Sequence, residues 1–171
     1  MRPQLIFGMS VAFSFVAWGV VTQQYIWPML RHQPRENALR AILTFHAFRF
    51  IGLAFLLPGV VSPELPLAFA RPAAYGDLPT AILALLGLIT LRSRLGTVLV
   101  WAFNLLGTAD LLYAFYQGNR VNIAATPGLL GAAYFLLAIV VPLLLITHGL
   151  VFRLLLRPGA AVVSIQERRA A

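Results

Sequence analysis

The sequence predicts an all-α integral membrane domain, a bundle of five transmembrane helices with the N-terminus outside and the C-terminus in the cytoplasm. Three observations carry this. Sixty per cent of the 171 residues are apolar and 11% are charged, against roughly 45–50% and roughly 25% in a soluble domain. Five apolar runs follow one another along the chain. Four of them reach the about 20 residues that a helix rising about 1.5 Å per residue needs to cross a bilayer. The 13 basic residues are all arginine, and most fall between or after the runs, in clusters that alternate in density as loops on the two sides of a membrane do.

The first run, residues 5–27, stops at Pro28. It is too long for the apolar region of a secretory signal and has no small-x-small cleavage pattern after it, so it reads as a retained helix. The second run covers residues 38–61. The third is the shortest: its uninterrupted apolar core, Leu78–Leu91, has 14 residues, about 21 Å of helix. It therefore spans only if it begins at residues 73–77 and runs to 91, with Asp77 capping its start. The fourth run covers residues 95–116. The fifth covers residues 129–156, with Pro142 kinking it and freeing a carbonyl. Between the second and third runs, SPELPLAFARPAAY carries three prolines and reads as an interfacial loop. Residues 1–171 form a single transmembrane domain on this reading, with no loop long enough for a soluble one.

Arg31, Arg35, Arg40, Arg92, Arg94, Arg153, Arg157, Arg168 and Arg169 fall on one side of the alternating runs, and Arg2, Arg71 and Arg120 on the other. The denser side is cytoplasmic by the positive-inside rule. The net charge of +8 is thus a topology signal. The arginines make no basic stripe interleaved with aromatics, so nucleic acid is not an expected partner. The bilayer is, and so is a homodimer or a larger membrane complex. There is no cysteine, which excludes disulfides and thiolate chemistry. No phosphate-binding glycine loop, zinc-protease motif or nucleophile elbow is present, and no helix carries arginines at the regular spacing of a voltage sensor. Whether the chain is an enzyme is left open by these features.

Ionisable residues inside apolar spans are functional candidates by default. They are His46, Arg49, Asp110 and His148, with Gln23, Gln24 and Asn104 as neutral partners. Counting from the cytoplasmic arginines at about 1.5 Å per residue, His46 lies about 9 Å deep and His148 about 8 Å. Arg49 and Asn104 lie at about 14–15 Å and the two glutamines at about 11 Å. One slab of the cytoplasmic half thus holds polar groups from four helices. Asp110 is about 24 Å up. With Tyr113 and Gln117 it forms a separate, outer polar face, at the level assigned to Asp77. A direct Arg49–Asp110 pair must close a vertical gap of about 10 Å.

Two imidazoles at one depth on different helices are the ligand pattern of a b-type haem, with Arg49 beside a propionate. In the same site they would hydrogen-bond a quinone. The metal reading of His46 and His148 is confined to haem iron, because no carboxylate stands near them. The bland alternative is interhelical hydrogen bonding. Two other functions share the composition: a carrier or channel for a small or lipidic solute, with Arg49 holding an anionic group, and a non-catalytic accessory subunit. Asn104 reads as interhelical glue. Trp18 and Trp101 read as packing, and Gly107, Gly128 and Gly131 as points of helix approach.

The stretches HAFRFIGLAFLLPGV, LPLAFARPAAYGD and VWAFNLLGTADLLYAFYQGNR resemble a set of small, functionally uncharacterised bacterial inner-membrane proteins. The resemblance covers roughly residues 38–156. It implies a polytopic protein of the bacterial inner membrane and implies no activity. RFIGLAFLLPG is also loosely similar to the DoxX-like membrane proteins, whose four-helix pattern the five runs depart from.

Overall fold

The computed structural model describes residues 2–157. Arg168 and Arg169 of the arginine-rich side lie outside the described residues. Among the described residues the chain is helical nearly throughout, and one isolated bridge, Pro58 to Val61, is its only β pairing. Five helices are long and apolar enough to cross a membrane: α1 (Pro3–Arg31), α2 (Arg35–Leu56), α3 (Leu67–Thr90), α4 (Arg94–Arg120) and α5 (Leu136–Leu155). Helices α2 to α5 make the core. Helix α1 lies along α5 at the edge, and nothing in its stretch Pro3–Val21 is buried.

Pro28 does not end the first helix, which runs on to Arg31. Residues Thr22–Ile26 wind as a π-helix, with the Trp27 N–H on the Thr22 carbonyl. A proline lacks an N–H, and its ring crowds the carbonyl four residues back. One widened π turn just before it relieves both problems. Pro142 repeats the device: Leu136–Val140 is π-helical, and the Val141 N–H bonds the Leu136 carbonyl. The expected disturbance at Pro142 is therefore a π bulge.

Helix α3 begins at Leu67, well before the expected start at 73–77, and carries Pro72 and Pro79 inside it. A helix among helices tolerates such prolines: they free only the Ala68 and Tyr75 carbonyls, four residues back, and the next turn is reinforced by the Thr80 hydroxyl, which donates to the Gly76 carbonyl at 2.9 Å. Asp77 is therefore ten residues into the helix and is not its N-cap. The added turns solve the length deficit of the third span. Its buried residues include Ala70, Ala73, Ala74, Thr80, Ala81, Ala84 and Gly87, a run of small side chains at three- and four-residue steps that lets α3 sit close to α2 and α4.

Helix α2 is α-helical to His46 and then 3-10 from Ala47 to Leu56, so it ends short of the expected residue 61. Helix α4 reaches Arg120, past the expected 116. The fifth helix starts later than residue 129. Residues Pro127–Ala133 form a separate 3-10 stretch with Gly131 at φ 52°, ψ −131°. A side chain at Gly131 would run into the Val60 carbonyl, and Ala132 N–H donates to that carbonyl at 2.9 Å while Ser62 N–H donates to Leu129 O at 2.9 Å. Gly131 thus joins two loops rather than two helices.

The arginine-rich ends meet at the opposite pole. The Arg153 guanidinium lies 3.9 Å from the Trp27 ring centre, Arg157 donates to the Arg31 carbonyl at 2.8 Å, and Arg92 stands 3.7 Å from Glu36. Two apolar cores result. One gathers Leu43, Phe103, Val151 and Leu154, and the other gathers Phe55, Phe69, Ala74 and Leu130.

Candidate functional site

Between the two apolar cores in chain position, α2, α3, α4 and α5 each contribute polar side chains to one buried network. The winding of α2 aims it. In an α-helix, residues nine apart fall on opposite faces. With 3.0 residues per turn they fall on the same one. The 3-10 stretch accordingly lines up His46, Arg49, Gly52 and Phe55, all buried.

Arg49 is the hub, with 2% of its surface exposed. Its Nε donates to Asp77 Oδ1 at 2.6 Å, and its Nη2 stands 2.6 Å from the same oxygen and 2.7 Å from Asp110 Oδ2. Its Nη1 reaches the Gly107 carbonyl at 3.3 Å and His148 Nε2 at 3.1 Å. A guanidinium has five N–H donors and no acceptor, and four hydrogen bonds use them here. One correction follows. Asp77 and Asp110 belong to the same network as Arg49 and not to a separate outer face.

The expected 10 Å gap closes for identifiable reasons. A 3-10 helix rises about 2.0 Å per residue rather than about 1.5 Å, so α2 lifts Arg49 outward, and the long arginine side chain reaches further. Asp77 is as far from Arg92 in sequence as Asp110 nearly is from Arg94, so both carboxylates lie at one level.

Because Arg49 can only donate, His148 Nε2 accepts. The proton of its neutral ring is then on Nδ1, which donates to Asn104 Oδ1 at 2.7 Å. The amide nitrogen of Asn104 is buried with no partner among the described residues. His46 Nε2 lies 2.9 Å from the Thr147 hydroxyl, and His46 Nδ1 is likewise unpartnered. The two imidazoles meet as their matched depths predict, with ring centres 4.4 Å apart and planes at 59°, and Phe103 packs on both.

This arrangement does not fit a haem held between the two histidines. Two imidazoles sharing an iron stand on opposite faces of a macrocycle, each with a nitrogen free for the metal. Here the rings touch each other, and both nitrogens of His148 are hydrogen-bonded.

Three glycines make room for the charges. A side chain at Gly107 would come within 2.6 Å of His148 Cε1 and 2.8 Å of Arg49 Nη1. At Gly52 it would meet the Asp77 carboxylate, and at Gly76 that of Asp110. Gly107 therefore admits side chains as well as a helix. The remaining expected neighbours lie elsewhere. Gln23 and Gln24 are exposed on α1. Tyr113 is half-exposed and accepts from Gln117 Nε2 at 2.9 Å.

Two cavities flank the network. The larger, about 460 Å³, lies between α1 and the helices α3 and α4. Its walls include Phe7, Val11, Phe15, Phe69, Ala114 and Leu137, and its polar lining includes Asp77 and Asp110. The smaller, about 180 Å³, lies between α2 and α5 and reaches Arg49 and Asp77 from the other side. Helix α1 is held over the larger cavity by two hydrogen bonds, Trp18 Nε1 to the Ile139 carbonyl at 3.0 Å and the Tyr134 hydroxyl to Ser10 Oγ at 2.8 Å. Trp18 is thus a latch as well as packing.

No curated protein and no solved structure matches the chain. One family does, described as "Domain of unknown function (DUF8737)", over residues 6–156. That match spans nearly all of the five-helix bundle and every residue of the buried network, and the chain belongs to the DUF8737 family.

Proposed function

We propose that the protein is a multi-pass membrane protein of the bacterial inner membrane, N-terminus outside and C-terminus cytoplasmic, that binds and moves a small lipidic solute. The observation that carries this reading is the 460 Å³ cavity, walled by apolar side chains of α1 and ending on two carboxylates. Ligand sites are typically concave, mostly apolar and equipped with a few placed polar groups. A cavity bounded on one side by the least buried helix can be reached from the surrounding lipid. A second cavity lies beyond Arg49 and Asp77, on the far side of the network.

Photolabelling of the reconstituted protein with a lipid-soluble diazirine tests this. Labels are expected on the α1 stretch Phe7–Phe15 and around Ala114, and Ala114→Phe, which fills the cavity, is expected to remove them while the protein stays folded. Labelling that ignores Ala114→Phe would overturn the reading.

A further inference from the structure

Resting on that reading, we infer that the solute is an amphipathic organic cation, a protonated amine with an apolar body, and that it exchanges with a proton held by Asp77 and Asp110.

The charge count is the starting point. The network contains one permanent cation, Arg49, and two carboxylates. The other groups facing it are neutral or cannot supply a charge. His46 comes from α2, and His148, from α5, accepts a hydrogen bond from Arg49. Asn104 and the Gly107 carbonyl come from α4. Helix α1 faces the cavity with Phe7, Gly8, Val11, Ala12 and Phe15, none of which titrates. With both carboxylates ionised, the network carries one uncompensated negative charge at membrane depth. Such a charge is costly there and is matched by a proton or by a cation.

Geometry says which side is available. Arg49 is absent from the lining of the larger cavity, its side chain 1% exposed and hydrogen-bonded to both carboxylates. The Asp110 side chain is nine-tenths buried, at 10% exposure, and lines the cavity with Asp77. Each carboxylate gives one oxygen to Arg49, and the second oxygens, Asp77 Oδ2 and Asp110 Oδ1, lie against Gly52 and Gly76 and accept no hydrogen bond among the described residues. The cavity therefore ends on two carboxylates with unused acceptor capacity and an excess negative charge. An ammonium group supplies the missing donors and the missing charge together, and the apolar walls take its hydrocarbon part.

The exchange balances without any other reactant. In the free state the excess charge is cancelled by one proton on the carboxylate pair. On binding, that carboxyl O–H bond breaks and the proton leaves to water. The ligand's ammonium N–H then donates to the carboxylate. One positive charge enters and one leaves, and Arg49 keeps its partners throughout.

The test uses three probes of one shape on the full chain in detergent: 1-naphthylmethylammonium, neutral 1-naphthylmethanol and anionic 1-naphthoate. The cation is expected to bind at least about tenfold more tightly than the alcohol. Its affinity is expected to rise about tenfold per pH unit over the range where one proton is displaced, whereas the alcohol's stays flat. Asp110→Asn is expected to erase the preference and the pH dependence while leaving alcohol binding intact. Asp77→Asn serves as the second variant, and each leaves Arg49 balanced by one carboxylate, with intact alcohol binding as the check that the variant is folded. Alcohol binding that Ala114→Phe abolishes, with the cation no tighter, would overturn the cation inference and leave the ligand site standing. Binding of none of the probes, or tightest binding of the anion, would overturn the inference as well. Failure of every probe together with no cavity labelling would sink the ligand site itself.

Discussion

At the scale of single residues, Arg49 organises the site by joining its helices. Its four hydrogen bonds reach two carboxylates, one carbonyl and one imidazole, contributed by α3, α4 and α5. Removing one member of a buried charge network costs far more than the intact network contributes, because the remaining charges lose their compensation. Arg49→Gln leaves two carboxylates against each other and is expected to lower stability by about 3–5 kcal/mol. The triple variant Arg49→Gln, Asp77→Asn, Asp110→Asn removes every charge at once and is expected to recover most of that loss. Equilibrium unfolding in mixed micelles reads both. A triple variant as unstable as the single would mean that packing, and not charge compensation, dominates. The residues of this network were unequally legible in the sequence. His46 and His148 meet, each separated from its reference arginine by regular α-helix. Gln23 and Gln24 share the depth and miss the site, since rise along a helix fixes height and says nothing of azimuth. Asp77 is legible at the level of Asp110 but reads as a helix cap: the prolines and glycine around it are loop signals in water, yet α3 carries them inside a helix.

At the scale of elements, three local departures from the α-helix do the positioning. The 3-10 stretch of α2 turns His46, Arg49, Gly52 and Phe55 onto one face, and no apolar period in AFRFIGLAFL announces it, because residues there are apolar on every side. The two π bulges before Pro28 and Pro142 are more readable in retrospect, since a proline inside a long apolar run must be accommodated somehow. The second bulge also carries the Ile139 carbonyl that Trp18 holds. The stretch Pro3–Val21 of α1 buries so little that this bond and the Tyr134–Ser10 bond are its hydrogen bonds to other helices among the described residues. Interhelical hydrogen bonds inside membranes are worth about 0.6 kcal/mol on average and up to about 1.7 kcal/mol. Trp18→Phe is therefore expected to lower global stability by no more than that, while hydrogen exchange across Pro3–Val21 accelerates several-fold more than in α3 or α4. Uniform acceleration in all five helices would show that α1 is not separately latched. A loosened α1 is also expected to speed entry of lipid-soluble label into the larger cavity.

At the scale of the whole molecule, the fold is an up-and-down bundle whose poles differ in charge. Arg31, Arg35, Arg40, Arg92, Arg94, Arg153 and Arg157 collect at one pole, where Arg157 reaches Arg31 and Arg92 faces Glu36. The other pole is closed by the backbone bonds between the loop 57–62 and the loop 127–133. That asymmetry is legible in the sequence, because it depends only on the number of apolar runs and the placement of arginines. It orients the buried site too: the carboxylates and the larger cavity lie toward the loop-closed pole, and the histidines toward the arginine-rich one. The orientation is open to direct measurement because the chain has no cysteine of its own. Single cysteines at Asn37, next to the arginine-rich pole, and at Glu64, in the opposite loop, are both exposed positions. A membrane-impermeant maleimide is expected to label Glu64→Cys on sealed cells at once and Asn37→Cys only after permeabilisation, as the positive-inside rule requires. The reverse pattern would put the larger cavity toward the cytoplasm and invert the direction in which a proton gradient acts on Asp77 and Asp110.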